Sequence, residues 1–364
     1  MIYKTKKKLS KDIYAWCCDY EDYRGEGKLA RCFIEYAIKR NSNNFFIKTP
    51  YNFIQLNNKN INIKKIKNQK QINLNYFERY FTPFLGIFWL WKNFLLKRKI
   101  AYINFNPLWN IFIFIFSPPR TIFGPITGSI YDGKVRNIDQ FVRAYLFPLF
   151  FKISIFFLQI RKKKILFSTS LLKSTLPKNI INNCIFDFQL IYYNSIIKNT
   201  YTTINSKKNI DLIYYNREHN QKKNLATLKI LNLLSNQNQY KKVIIGNNLP
   251  LKNFLNLTTL DHKKVMLLLT KSRFTFFSPE NYLSMFLLEA MSRNVKIFID
   301  NKHRNILNYF ESSNFIFLDF SNEKKLFKKI IFQLDNNYKI KKNKLKKNVL
   351  KNINYKLRHY LNEF

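Results

Sequence analysis

The chain reads as an α/β protein built from two doubly wound units in series. Three observations lead there. Between Ile210 and Leu334, short apolar runs alternate with helical periodicities, the rhythm of a parallel sheet covered on both faces. A length of 364 residues exceeds one small domain and suits two. Six of the seven glycines also fall in loop-like places: Gly25 with Gly27, then Gly124, Gly128 and Gly133, and Gly246 directly after an apolar run. Only Gly86 lies inside an aromatic stretch.

In chain order, Ile13 to Cys18 predicts a strand, Asp19 to Glu26 an acidic loop, and Lys28 to Lys39 a helix with Leu29, Phe33, Ile34 and Ala37 on one face. Phe45 to Lys48, Ala101 to Phe105 and Thr121 to Phe123 predict strands. Ile138 to Ile160 predicts a long helix bent at Pro148, and Leu166 to Thr169 and Cys184 to Phe188 two short strands. Polar residues Asn194 to Asn209 read as a linker. Beyond it the predicted strands are Ile210 to Tyr215, Lys242 to Ile245, Phe274 to Phe277, Val295 to Ile299 and Phe315 to Leu318. The helices between and after them are Leu225 to Leu234, His262 to Thr270, Ser284 to Arg293, Asn305 to Phe310 and Glu323 to Leu334. The expected division is 1–195, 196–335, and a basic tail 336–364 that either returns to the first unit as a helix or forms a solvated face.

The charge is the loudest feature and the least specific. Lys and Arg number 63 against 21 acids, a net charge of +42 that invites a nucleic-acid partner. Yet only 14 of the cations are Arg, whose fork reads phosphate and guanine best, and the chain shows no recognisable nucleic-acid motif. The expectation is therefore no nucleic acid, with a basic nucleic-acid-binding protein as the alternative. Cys17, Cys18, Cys32 and Cys184 form no CxxC pair, which fits a reducing cytoplasm. The first residues carry charge without an apolar segment after it, so no signal peptide is expected. Phe81 to Trp91, Ile111 to Phe116 and Tyr145 to Ile160 come nearest to membrane segments; each predicts buried structure, with shallow insertion at a membrane surface as the alternative.

The second half is where chemistry is legible. After the strand ending at Phe277, the residues Ser278-Pro279-Glu280-Asn281-Tyr282-Leu283-Ser284 turn into the helix carrying Glu289-Ala290-Met291. Amides at that helix start, around Leu283 to Phe286, make a diphosphate site at the positive end of the helix dipole. Glu280 and Glu289 bracket the turn and suit sugar or ribose hydroxyls. Upstream, Tyr215-Asn216-Arg217 is followed by Lys222-Lys223-Asn224, and Val243-Ile244-Ile245 ends in Gly246.

Taken together, Ile210 to Leu318 resembles the donor-binding domain of GT-B glycosyltransferases, particularly the large retaining family that uses nucleotide-diphospho-sugars. The resemblance implies two Rossmann-like domains facing across a cleft. It assigns Arg217 and Lys223 to the donor diphosphate, Glu289 to the ribose and Glu280 to the transferred sugar, with Gly246, Asn281, Tyr282, Leu283 and Ser284 around the donor. The first half is similar to the acceptor domain, placing Gly25, Glu26, Gly27, Gly124 and Gly128 on acceptor-side loops.

The family's two Glu are separated by seven residues and these by eight, and the usual loop glycine is replaced by Tyr282-Leu283-Ser284. That departure keeps an inactive glycosyltransferase-like scaffold as a further alternative. All four His, at 219, 262, 303 and 359, lie outside the first half, and no Asp-x-Asp occurs. An inverting base would therefore have to be a carboxylate such as Asp19, Asp22 or Glu26; a retaining enzyme can use the donor phosphate. The resulting expectation is metal-independent, cofactor-free, retaining transfer to a glycan or lipid-linked acceptor in cell-envelope polysaccharide synthesis. The enzyme would be cytoplasmic, with peripheral attachment to anionic membrane.

Overall fold

The structure is a computed structural model. It describes residues 12–22, 25–41, 44–57, 78–104, 106–128, 135, 138–161, 163–198, 208–216, 225–258, 260–277, 283–311, 314–336 and 344–362. Two compact units form, one of Met1–Phe188 with Ile353–Phe364 and the other of Gln189–Asn352. The boundary thus falls at 188/189 rather than 195/196. The residues read as the start of a linker, Asn194 to Lys198, instead finish a helix of the second unit.

The first unit runs β1 (Asp12–Cys17), α1 (Gly25–Asn41), β2 (Asn44–Lys48), β3 (Phe53–Leu56), α2 (Glu78–Leu95), β4 (Lys99–Asn104), α3 (Ile111–Phe116), β5 (Ile122–Phe123), α4 (Ile138–Phe141), α5 (Phe147–Ile160), β6 (Ile165–Leu166), α6 (Lys178–Ile181) and β7 (Cys184–Ile185). Its main sheet has the order β3-β2-β1-β4-β5, parallel except for β3, which pairs antiparallel on the edge of β2. Three strand expectations were too long. β6 and β7 are two residues each; β5 begins one residue later than read, and after it the chain leaves the main sheet. From Gly124 on, it bridges to Pro107 and Phe167 and joins the small β6–β7 sheet.

The long helix expected over Ile138 to Ile160 is present, and its irregularity precedes Pro148. Residues Val142–Leu146 form a π-helical turn between α4 and α5. Pro148 has no N–H for the carbonyl four residues back and its ring crowds that carbonyl, so widening the preceding turn accommodates it. Val142–Ile160 is long and apolar enough to cross a membrane by length and composition, although Arg143 and Lys152 interrupt it. Inside the unit it packs through Phe151, Ile155 and Leu158 on a core with Leu108, Ile113, Phe114 and Phe123. The expectation that the aromatic stretches are simply buried does not hold. Phe88 is 73% exposed, Phe112 46% and Phe156 56%.

The second unit runs α7 (Gln189–Lys198), β8 (Ile210–Asn216), α8 (Leu225–Leu234), β9 (Lys242–Gly246), β10 (Phe254–Leu257), α9 (His262–Lys271), β11 (Ser272–Phe276), α10 (Met285–Ser292), β12 (Lys296–Asp300), β13 (Phe310–Glu311), β14 (Phe315–Leu318), α11 (Glu323–Asp335), β15 (Lys344–Leu345) and α12 (Lys347–Asn362). Six parallel strands take the order β10-β9-β8-β11-β12-β14, the 3-2-1-4-5-6 arrangement of a dinucleotide-binding sheet. Ile213, Val243, Ile245 and Val295 pack with Leu269 and Ala290 in its core. The helix expected at Asn305 to Phe310 is a 3-10 segment, Asn301–Asn308, started by Asp300 accepting from the Lys302 amide.

The tail is more than a solvated face. Ile353, Leu357, Tyr360 and Leu361 lie on one side of α12 and are buried. The Tyr360 hydroxyl donates to the Phe123 carbonyl, and Tyr36 donates to Asn354 at 2.7 Å. The final residues from Ile353 count with the first unit for this reason.

Candidate functional site

In a sheet of this order, the connections leave β8 in opposite directions, toward β9 and β10 on one side and toward β11, β12 and β14 on the other. In doubly wound sheets a crevice lies outside the carboxyl ends of the strands at this switch point, here β8 and β11, and ligands bind there. Several elements meet there. Tyr215, near the end of β8, packs its ring 5.1 Å from that of Phe286 in the first turn of α10. Gly246 ends β9 with φ +94°, a conformation L side chains rarely adopt. A Cβ there would also lie 2.5 Å from the Asn216 carbonyl oxygen and 2.8 Å from the Tyr215 ring. The expected glycine therefore sits where the backbone needs one.

Asn216 ties the crevice together. It is buried, and its Nδ2 donates to the Asn247 and Asn248 carbonyls at 3.0 and 3.3 Å, which joins the end of β8 to the loop after β9. Its Oδ1 is buried with no hydrogen-bond partner among the described residues. Such an atom costs about 1–3 kcal/mol unless a ligand or water satisfies it.

α10 starts at Met285, one residue later than read, directly after Leu283 and Ser284. Leu283 is buried, and Ser284 caps the helix by accepting from the Leu287 amide. With Leu287 capped, the amides of Met285 and Phe286 point out of the helix start, at the positive end of its dipole.

Glu289 lies one turn further on and is 3% exposed. Its Oε1 accepts from the Tyr192 hydroxyl at 2.8 Å and lies 3.0 Å from His262 Nε2. His262 opens α9, whose cap is Asp261. A buried carboxylate needs such partners, and they hold its position. The Glu289 charge in turn opposes the lowering that burial imposes on the Arg293 guanidinium pKa. Sequence reading found Glu289 from its Glu-Ala-Met context and missed both partners. His262 carried a faint signal, the Asp-His start of a helix. Tyr192, 97 residues away and outside the motifs, carried none.

Arg217, Lys223, Glu280, Asn281 and Tyr282 lie outside the described residues. Among the described residues, no three of His, Cys, Asp and Glu converge as a metal cluster would.

The first unit has its own switch point, between β1 and β4. Asn104 ends β4, is 2% exposed, and neither its Oδ1 nor its Nδ2 has a partner among the described residues. Asn106 donates to the Tyr102 carbonyl at 3.0 Å while its Oδ1 has no partner among the described residues. These two amides were not singled out from sequence, where asparagine is too common to signal anything.

The residues expected on acceptor-side loops divide between a helix and a connecting segment. Gly25, Glu26 and Gly27 form the first turn of α1 rather than the loop before it, so the helix starts three residues earlier than read. The loop folds back on that turn: Arg31 donates to the Asp22 carbonyl at 2.7 Å, and a Cβ on Gly27 would sit 2.1 Å from the same oxygen. Gly124 and Gly128 flank the strand-like crossing between the main and small sheets. There the Ile126 amide donates to Leu166 at 2.7 Å and the Thr127 amide to Asn106 at 3.0 Å. Gly133 lies outside the described residues.

No protein-family model matches the chain, and no curated protein matches it in sequence. Solved structures do resemble it over nearly its whole length. UDP-GlcNAc 2-epimerase from Methanocaldococcus jannaschii is 13% identical at a TM-score of 0.45, covering 91% of this chain and 95% of its own. WaaG, a glycosyltransferase involved in lipopolysaccharide biosynthesis, is 11% identical at 0.47, covering 96% and 95%. The DNA-modifying enzyme beta-glucosyltransferase is 15% identical at 0.41, covering 97% and 94%. These scores all lie below 0.5, so the fold rests on the strand orders themselves: the chain is an α/β protein of two doubly wound, Rossmann-like units.

Proposed function

We propose that the chain is a glycosyltransferase whose second unit binds a nucleotide-diphospho-sugar and whose product is a glycosylated glycan or lipid-linked acceptor. The observation that carries this reading is the crevice at the switch point of the 3-2-1-4-5-6 sheet. It is floored by Asn216 and Gly246, flanked by the start of α10, and followed by a buried Glu289 held by Tyr192 and His262.

Donor binding would divide as follows. Glu289, fixed by its two partners, accepts from the ribose hydroxyls. The helix-start amides and the fixed charges of Arg217 and Lys223 take the diphosphate, stabilising it as it leaves with the electron pair of the sugar–phosphate bond. Glu280 holds the sugar. The acceptor hydroxyl attacks the anomeric carbon from the face on which the diphosphate departs and passes its proton to an oxygen of that leaving phosphate, so the anomeric configuration is retained. This sequence needs no resident metal or cofactor.

Saturation-transfer NMR with UDP-, GDP- and ADP-sugars tests the donor assignment. One class should bind, and Glu289→Gln should weaken that binding by about tenfold or more, the worth of a charge-assisted hydrogen bond, with an unchanged circular dichroism spectrum. Absence of binding by all three classes, or unaltered binding by the variant, would remove the proposal. Product NMR then reads the anomer, and turnover in EDTA reads the metal independence.

A further inference from the structure

The outer side of the first unit carries a surface that the proposed chemistry does not use. On α2 the exposed positions are Phe81, Phe84, Leu85, Phe88 and Leu95, while Ile87 and Leu90 face the core. A surface helix normally shows water its polar residues; this one shows aromatics. The neighbouring α3 repeats the arrangement, burying Ile113 and Phe114 and exposing Phe112 and Phe116. So does α5, which buries Phe151, Ile155 and Leu158 and exposes Leu149, Phe156 and Ile160.

The three helices pack side by side. Phe84 and Phe112 rings lie 5.6 Å apart, and Trp91 Nε1 donates to the Phe116 carbonyl at 2.8 Å, joining α2 to α3. At one end of α3, Trp109 stacks on Phe147 of α5 at 5.4 Å. At the other end, Arg161 from the end of α5 donates to the carbonyls of Phe114 and Ser117 at 3.0 and 2.7 Å. A joined apolar face of this kind marks an interaction surface.

Its charge selects the partner. Residues 79–131 and 140–186 contain no Asp or Glu. The exposed cations on and beside the face include Lys92, Lys97 and Arg98 at the end of α2, Arg120 after α3, and Lys152 in α5. A second copy would bring these cations against their own kind with no acid to answer them. A surface of anionic lipid answers all of them, and aromatic side chains favour the boundary between headgroups and acyl chains.

We propose that the joined outer face of α2, α3 and α5 docks on a bilayer surface containing anionic lipid. Val142–Ile160 then lies in the plane of that surface and does not cross it, because its other side is committed to the core through Phe151, Ile155 and Leu158. Phe88, Phe112 and Phe156 enter the boundary region, and Lys152 extends along its apolar stem to the lipid phosphates. This proposal stands independently of glycosyl transfer.

Co-sedimentation of the full chain with vesicles tests it, using phosphatidylcholine alone and a 7:3 mixture with phosphatidylglycerol. The chain should bind the mixed vesicles and bind pure phosphatidylcholine at least about tenfold more weakly, as several lysines each contribute about fivefold. Phe88→Glu and Phe156→Glu should each lower partitioning by about tenfold or more, from lost apolar burial. Lys152→Gln, which leaves the apolar face intact, should lower it about fivefold on mixed vesicles only. Phe332→Glu, exposed on α11 in the second unit, should change nothing. Equal binding by wild type and both Phe variants overturns the proposal, as does no binding to either vesicle. A concentration-dependent dimer that Phe88→Glu dissolves, without vesicle binding, would overturn it in favour of a second copy.

Discussion

The two units share an architecture and differ in where they put their apolar residues. In the second, the sheet is all parallel, both faces are covered, and large apolar side chains exposed among the described residues are scattered singly, such as Leu255, Leu267 and Phe332. In the first, such side chains concentrate between Phe81 and Ile160, on helices whose inner sides are equally apolar. The lesson concerns how composition becomes function. An aromatic content of 17% looks like core material, yet a good part of it in the first unit faces outward. The +42 likewise means different things in different places: beside an apolar face it is a docking charge, and on a polar helix it is solvation.

Two glycines probe the comparison most strongly, since each allows a close approach in a different unit. Gly246→Ala would force φ +94° on a residue with a Cβ and press it into the Asn216 carbonyl. The strain alone costs about 1–3 kcal/mol. Because that carbonyl belongs to the floor of the crevice, donor binding should weaken as well. Gly27→Ala drives a Cβ into the Asp22 carbonyl and must push the loop off α1, at a similar cost of about 1–3 kcal/mol. Donor binding should stay unchanged. Urea unfolding and donor titration of both variants read the split; loss of donor affinity in Gly27→Ala would break it.

That asymmetry also explains what the sequence revealed. Strands buried on both faces appear as unbroken apolar runs, so Val243-Ile244-Ile245 was legible, as was the helix Leu225–Leu234. Phe254–Leu257 was not, because an edge strand with Leu255 exposed lacks that continuity. In the first unit α2 and α5 are apolar nearly all round, which erases the periodicity that separates a buried face from an exposed one. The apolar positions of α12 were hidden by the lysines between them, although Ile353, Leu357 and Leu361 repeat every four residues. At the site, Glu289 was readable from its neighbours in sequence. Tyr192, Asn216 and Asn104 matter through long-range placement, which no local pattern encodes.

A smaller effect arises at the opposite end of the second sheet. Lys208 Nζ donates to the carbonyls of Ser272 at 2.6 Å and Arg293 at 3.1 Å, tying the starts of β8 and β11 to the end of α10. Burial lowers its pKa to about 8 from 10.5. Lys296, at the start of β12, is lowered to about 8 by burial and then by Arg273. A lowered lysine pKa means the unfolded chain holds more protons than the native one between those values. Stability from these groups therefore rises with pH from about 8 to 10.5, and below 8 the full cost of their charge is present. Urea unfolding across that window should show a positive slope that Lys208→Met reduces by about one proton. An unchanged slope in the variant would refute the account.

The weakest probe compares one exposed ion pair from each unit. Lys229 on α8 meets Glu323 on α11 at 2.6 Å, and Glu35 meets Lys39 at 3.8 Å one turn apart on α1. Both pairs are well exposed, so solvent screening holds each near 0–1 kcal/mol. The acid precedes the base on α1, the favourable direction along a helix, but the gain there is about 0.3–0.5 kcal/mol. Removing a lysine also relieves repulsion in a chain with 63 cations, which offsets part of the lost pair. Lys229→Ala and Lys39→Ala should each change urea stability by no more than about 0.5 kcal/mol. Only the pair between helices fixes two elements, so Lys229→Ala should be the costlier of the two. The reverse order would mean that helix-local charge outweighs the contact between α8 and α11.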